Sequence, residues 1–440
     1  VGVSTTINKI QTNMLNKKLC ASVCLAILAS NTAFAVSNLE FQSLKNRIIK
    51  LEKELDRKQT NFSQNKNSTR KIYGNEFNPS IGLVLNGKFR TFSKNESKLK
   101  GFAIAHEGER GSENFSLGES ELNFSSNIDD KFYGSLTAAI VREDGEDKIE
   151  LEESYVKTRP ELGLPTGVEI KAGRALWNLG YLNEHHAHSD DFANRPLPYR
   201  AFLNKSFNDD GAQISYILPT DFYAEIGGAT FKGGDFPFGN DDGTGSYSAY
   251  LRIGGDITDN QNFRLGASIL SGEAKGAGRT NEENISFIGK TDLYIADLRY
   301  NFAPTGNAKD QEIILQGEYF FRDELGTYES VNDSTGRVDF DDNASGWYVQ
   351  SVYKFNPKYR FGVRYGELNS PSTPTGLVGS HLDAKGFDAK SYTAMFDWTN
   401  SEFSRIRVQY DHEELEQNNH DNQFTLQYIM SIGAHSAHKY

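Results

Sequence analysis

The chain of 440 residues carries a formal net charge of −12, and only 37% of its residues are hydrophobic, with a mean hydropathy of −0.58. That balance argues against nucleic acid as a partner and against a large soluble enzyme with a deep apolar interior. Forty glycines, 21 tyrosines and 29 phenylalanines against three methionines argue equally against disorder, because aromatic residues favour half-buried strands.

Residues 1–35 have the layout of a signal peptide whose true start is Met14: Lys17 and Lys18, an apolar run from Leu19 to Leu28, and Ala33-Phe34-Ala35 as the cleavage site. Both cysteines, Cys20 and Cys24, fall in that run, so the mature chain from Val36 is expected to carry no thiol. Removal takes away three lysines and no acid, which moves the net charge from −12 to −15. No later stretch reaches the ~18 apolar residues of a transmembrane helix. Export without a helical anchor leaves secretion, the periplasm or the outer membrane.

Residues 36–59 hold an a/d seam, Phe41, Leu44, Ile48, Leu51 and Leu55, interleaved with charges. The spacing predicts a short coiled-coil helix, with a single amphipathic helix packed on the rest as the other reading. So few heptads are marginal alone, so a coil there needs oligomerisation driven elsewhere. Residues 60–77, rich in Asn, Ser and Lys, read as a linker.

From residue 78 the period becomes two. Phe424, Leu426, Tyr428 and Met430 alternate with Thr425 and Gln427; Ile406, Val408 and Tyr410 alternate with Arg405, Arg407, Gln409 and Asp411. Sixteen such segments start near residues 81, 115, 131, 148, 167, 211, 222, 247, 262, 291, 312, 345, 359, 390, 404 and 422. A soluble sandwich also alternates, but the connections here sort by length. Residues 127–130, 218–221, 258–261, 356–358 and 399–402 are short, whereas 92–114, 174–210, 232–246, 324–344 and 369–389 are long and polar. An even strand number with tight turns at one end and long loops at the other predicts an all-β, transmembrane antiparallel barrel of about sixteen strands over residues 78–440. The terminal aromatic Tyr440 agrees with it.

A barrel of that size keeps an aqueous lumen. The expected function is therefore passive diffusion of small hydrophilic solutes or ions through the outer membrane. The stretch 174–210 is the third long loop and has no strand or amphipathic helix of its own. Arg195, Arg200, Asp190 and Asp191 within it are candidates for a pore constriction. His185, His186, His188 and Glu184 offer nitrogen and oxygen donors that suit zinc, although a solvated polar loop accounts for them too. His435 and His438 form a second pair, too few ligands for a site. No Gly-x-Ser-x-Gly and no HExxH occurs, so no enzymatic activity is expected. No cofactor is expected either, beyond a zinc ion bound or transported.

The signal peptide, short heptad segment and strand-rich remainder resemble Gram-negative porins of the phosphate-selective porin O and P type. That resemblance implies a sixteen-stranded homotrimer in outer-membrane lipid; it transfers no ligand residue, since the family's arginine and lysine ladder has no clear counterpart here. The run Asp191-Phe192-Ala193-Asn194-Arg195-Pro196-Leu197-Pro198-Tyr199-Arg200-Ala201-Phe202 after the histidines, with the ending Gly433-Ala434-His435-Ser436-Ala437-His438-Lys439-Tyr440, is similar to proteins labelled zinc-regulated TonB-dependent outer-membrane receptors. A TonB-dependent transporter is a 22-stranded barrel around a folded plug, and residues 36–77 supply only a heptad segment and a linker. This second resemblance therefore implies a zinc association, and with it a rival function: uptake of divalent metal through the His-rich loop.

Overall fold

A computed structural model of the chain describes residues 79–143, 146–239, 244–281, 284–330 and 336–433. The expected signal peptide, coiled-coil helix and linker, and His435 and His438, lie outside the described residues.

Antiparallel strands dominate the described residues. In chain order they are β1 (Ser80–Phe92), β2 (Asn114–Leu117), β3 (Ser120–Asn127), β4 (Phe132–Glu143), β5 (Glu146–Thr158), β6 (Val168–Leu176), β7 (Asn208–Ile217), β8 (Tyr223–Phe231) and β9 (Ser246–Thr258). They continue with β10 (Gln261–Thr280), β11 (Ile285–Phe302), β12 (Glu312–Ser330), β13 (Val338–Asn356), β14 (Tyr359–Asn369), β15 (Ala389–Ser401), β16 (Ser404–Glu416) and β17 (Asn419–Gly433). Each pairs with its sequence neighbour, and β17 returns to β1 from Gly82↔Gly433 to Phe92↔Gln423. β2 and β3 both lie against β1, at Gly87–Arg90 and at Ser80–Val84. They form one stave broken at Gly118–Glu119, where the Gly118 N–H donates to Asn86 O at 2.8 Å. The result is a closed barrel of sixteen staves, as the alternation predicts.

Burial is inverted relative to a water-soluble protein. On β17 Leu426 is 42% exposed and Gln427 only 2%. On β16 Ile406, Val408 and Tyr410 face outward while Arg407, Gln409 and Asp411 are buried. An apolar exterior around a polar interior suits lipid outside and water or protein inside, which removes the soluble sandwich from consideration. Two aromatic clusters lie on the outer face of β13 to β15: Phe355, Tyr359 and Phe396 near the tight β13–β14 turn, and Trp347, Tyr365 and Tyr392 further along the same strands.

The expected long loop 324–344 is mostly strand. β12 runs to Ser330, β13 begins at Val338, and the two stay in register from Asp323↔Asn343 to Tyr328↔Val338. Asp323, Asp339 and Asp341 are exposed there, so the apolar alternation stops before the strands do. Strands β10 to β13 have 20, 18, 19 and 19 residues, well beyond the ~9–11 that cross a bilayer. The hydrophobic core sits inside this part of the barrel and joins Trp177, Phe202 and Phe207 to Phe231, Phe320 and Tyr348 of the wall.

Candidate functional site

β6 and β7 pair up to Leu176↔Asn208, so residues 177–207 leave the wall and return to it at one point. Asn183 ties the two ends: its Nδ2 donates to Trp177 O at 2.9 Å and to Phe207 O at 3.1 Å, and its Oδ1 accepts from Phe207 N at 2.6 Å. Trp177, fully buried, donates its Nε1 proton to Asp209 O at 2.8 Å. The segment then turns inward, and its partners are lumen-facing side chains. Glu318 of β12 accepts from Tyr181 N at 2.8 Å, Leu182 N at 3.3 Å, the Tyr199 hydroxyl at 2.9 Å and the Tyr348 hydroxyl at 2.5 Å. Gly180 has φ +65°, and a Cβ there would lie 2.2 Å from Glu318 Oε2, so only glycine lets the chain approach this carboxylate.

Contrary to expectation, the segment holds a helix, α1 (Leu197–Leu203), and every residue of it is buried. A helix packed on all sides needs no polar face, so no amphipathic period betrays it. Pro198 lies in its first turn, where the missing N–H costs nothing. Asn204, in the left-handed region at φ 47°, ends it, with Lys205 N–H donating to Tyr199 O at 3.0 Å. Tyr199 and Phe202 pack on Phe320, and Tyr199 also meets Tyr348.

The four expected constriction residues all lie inside the barrel in ion pairs. Asp190 pairs with Arg195 at 2.6 Å. Asp191 meets Arg360 at 2.7 Å and Arg299 at 3.8 Å. Arg200 pairs with Glu413 at 2.7 Å and donates to Gly108 O at 2.8 Å. Burial pushes the Asp190 carboxyl up to about 6, with Arg195 opposing the rise. Burial acts the same way on Asp191, but Arg360 and Arg299 outweigh it and hold the group below the usual carboxylate range. Through Asp191 and Arg200 these contacts fasten the loop to β11, β14 and β16. Space remains elsewhere around the loop as two cavities: one of about 570 Å³ against β5 to β7, and one of about 230 Å³ against β17, β1, β2, β4 and β5. Both are lined by Glu107, Glu119, Glu150, Arg195 and Lys205; Lys88 and Arg90 of β1 add to the smaller one, as does Arg200.

The expected metal donors separate. Glu184 is bound by Arg252 and Arg264. The His185 ring stacks on Tyr181 and its Nδ1 lies 3.0 Å from Tyr181 O; burial pushes this imidazole down to about 4. His186 and His188 instead meet three glutamates of the wall. His186 Nδ1 is 2.9 Å from Glu152 Oε2 and 3.2 Å from Glu121 Oε2, and its Nε2 is 2.9 Å from Glu153 Oε2. His188 Nδ1 is 2.6 Å from Glu121 Oε1. Burial disfavours the His186 imidazolium, but these carboxylates outweigh it and hold its pKa well above the ordinary histidine value.

Glu152 and Glu153 are consecutive and in a regular strand would face opposite sides. Register between β4 and β5 passes from Thr137↔Glu153 to Ala138↔Leu151; Glu152 is the extra residue of a β-bulge, which aims both carboxylates inward. Ala139, fully buried on β4, lies opposite Glu121 on one side and Glu150 on the other.

No protein-family model matches the chain. An uncharacterized protein of Aquifex aeolicus is 30% identical over 398 residues, spanning 83% of this chain and 80% of that one. Among solved structures, the anion-selective porin from Comamonas acidovorans superposes with a TM-score of 0.51 at 9% identity, over 80% of this chain and 99% of that one. Pseudomonas putida OprB gives 0.51 at 10% identity over 80% and 94%, and Salmonella typhi OmpF gives 0.50 at 13% over 81% and 99%. At such identities the likeness is one of fold. The chain belongs to the family of the Aquifex aeolicus protein, as an outer-membrane β-barrel with the sixteen-stranded fold of Gram-negative porins.

Proposed function

We propose that this protein is a passive channel through which small hydrophilic solutes or ions diffuse across the outer membrane, assembled as a homotrimer. The observation that supports the reading is the pair of polar cavities beside the inner loop, bounded by Lys88, Arg90 and Lys205 as well as Glu107, Glu119 and Glu150. Sixteen strands give a lumen wider than wall side chains can fill, and here residues 177–207 occupy part of it. Charges of both signs at the narrow point set the local field that a solute meets. In this reading Arg195 and Arg200 belong to the rim of the passage, while Asp190 and Asp191 fix the loop that forms it. It assigns no enzymatic step.

Single-channel recording in a planar bilayer tests the proposal. A stepwise, ohmic conductance that falls with added sugars small enough to enter is the expected result, and purified folded protein that gives no steps rejects it. Uptake of divalent metal is the second reading, supported by His186 and Glu152 facing the larger cavity. Zinc flux into proteoliposomes, saturable and faster than that of magnesium, would place it first.

A further inference from the structure

We propose that His186, Glu121 and Glu152 form a binding site for one divalent transition-metal ion, which ties the inner loop to the barrel wall. The inference goes beyond the channel reading and does not depend on it.

The geometry begins with one nitrogen. His186 Nδ1 faces Glu152 Oε2 at 2.9 Å and Glu121 Oε2 at 3.2 Å. A ring nitrogen carries at most one proton, so it satisfies only one of the two carboxylates. Glu121 is 2% exposed, and its Oε2 accepts no well-aligned hydrogen bond although the imidazole is close. A cation in place of that proton takes the nitrogen lone pair and one oxygen from each carboxylate. The three donor atoms lie within 4.8 Å of one another, close enough for one ion with bonds of about 2.0–2.2 Å after small rotations.

The surroundings match a metal site beyond its ligands. Ligating histidines commonly donate their other ring proton to a carboxylate, which fixes the tautomer and aims the ring. His186 Nε2 has Glu153 Oε2 at 2.9 Å in that position, and His188 Nδ1 holds the far oxygen of Glu121 at 2.6 Å. Three glutamates gather around two imidazoles, Glu121 buried and Glu152 and Glu153 half-buried with Lys171 acting on Glu153; carboxylates taken out of water in this way are paired or coordinate metal. One nitrogen and two oxygens suit zinc and its neighbours rather than calcium, which takes six to eight oxygens. The remaining coordination positions open toward the cavity that His186 and Glu152 line. Because His186 comes from the loop, Glu121 from β3 and Glu152 from β5, a bound ion fastens the loop on the side where the α1 contacts do not reach.

The test is zinc binding by the purified full chain, stripped with EDTA, exchanged into metal-free detergent buffer and titrated by equilibrium dialysis with metal analysis. One zinc per chain is expected. His186→Ala and Glu152→Gln should weaken it by about 100-fold or more, Glu153→Gln by about 10-fold through loss of ring orientation, and His185→Ala by less than twofold. Heat-modifiable migration on gels verifies that each variant keeps its barrel. X-ray absorption of the zinc-loaded wild type gives a readout that needs no variant: one imidazole nitrogen with oxygen neighbours at about 2.0–2.1 Å. Sub-stoichiometric zinc on the wild type overturns the proposal. So does unchanged affinity in His186→Ala, or a shell with two or more imidazoles or none. None of these measurements uses conductance, so a failure here leaves the channel reading standing.

Discussion

Glu318→Ala is the sharpest perturbation of the loop that shapes the passage. The wild-type carboxylate, 3% exposed, accepts four hydrogen bonds, two from loop amides (Tyr181, Leu182) and two from phenols (Tyr199, Tyr348). A buried donor left without an acceptor costs about 1–3 kcal/mol. Water entering the space left by the carboxylate recovers part of this, so the net loss is taken as about 3 kcal/mol, roughly two of the four donors. The β12 ladder does not pass through the side chain, so the barrel stays closed and the loss appears as local opening of the loop. At 1.4 kcal/mol per decade, about 3 kcal/mol corresponds to roughly a hundredfold fall in amide exchange protection. Exchange by mass spectrometry on the detergent-folded protein should show that fall in peptides covering Tyr181 and Leu182, with the β12 and β13 ladder unchanged. Equal protection in wild type and variant would refute the claim that Glu318 holds the loop, and loss across the whole barrel would refute the claim that its effect is local.

Gly180→Ala should act on the same anchor, because the new Cβ meets Glu318 Oε2 at 2.2 Å and the Tyr199 hydroxyl at 2.9 Å at a left-handed φ; the same exchange experiment should show opening around residue 180. Leu426→Arg places a cation on the lipid face and should cost about 2–4 kcal/mol near mid-bilayer, read from urea titration in lipid vesicles. Gln427 is no tolerant counterpart, since it sits between Asn86 Oδ1 at 2.9 Å and Arg407 Nη1 at 3.2 Å; Gln427→Arg sets a second cation beside Arg407 and should also lower stability. Arg200→Ala strands the buried Glu413 carboxylate, a loss of about 3–5 kcal/mol, whereas Arg200→Ala with Glu413→Gln should recover most of it in the same titration. Under the channel reading, Arg195→Ala with Arg200→Ala should raise single-channel conductance or shift its ion preference.

Strand count, barrel closure and the facing of β16 and β17 were legible because lipid imposes a strict two-residue period on any strand that crosses it. The same rule hid what lies above the lipid. Asp323, Asp339 and Asp341 look like loop residues, and only pairing reveals the ribbon they belong to. That the strand pattern breaks over residues 174–210 could be read from the sequence, but α1 could not, since a helix enclosed by protein carries no polar stripe. Histidine clustering pointed toward the proposed metal set, yet only His186 supplies a ligand to it, while His188 hydrogen-bonds Glu121. Residues His185 and His186 are adjacent and diverge, while His186 and His188 share a side. The glutamates were missed for a definite reason. Period two assigns Glu152 and Glu153 to opposite faces, and the bulge that reunites them leaves no trace in composition.

The unequal height of the wall has a mechanical consequence. β10 to β13 carry about ten residues more than β6 to β8, roughly 30 Å of additional strand at ~3.3 Å per residue. This tall flank is a backrest: Phe320 and Tyr348 support Tyr199 and Phe202, and the loop leans on it. The low flank meets the loop near its two ends, where Phe231 of β8 packs on Trp177 and Phe207, so the middle of the loop takes its aromatic support from the tall side. The placement of the loop inside the barrel is therefore set by wall residues of both flanks as well as by its own ion pairs.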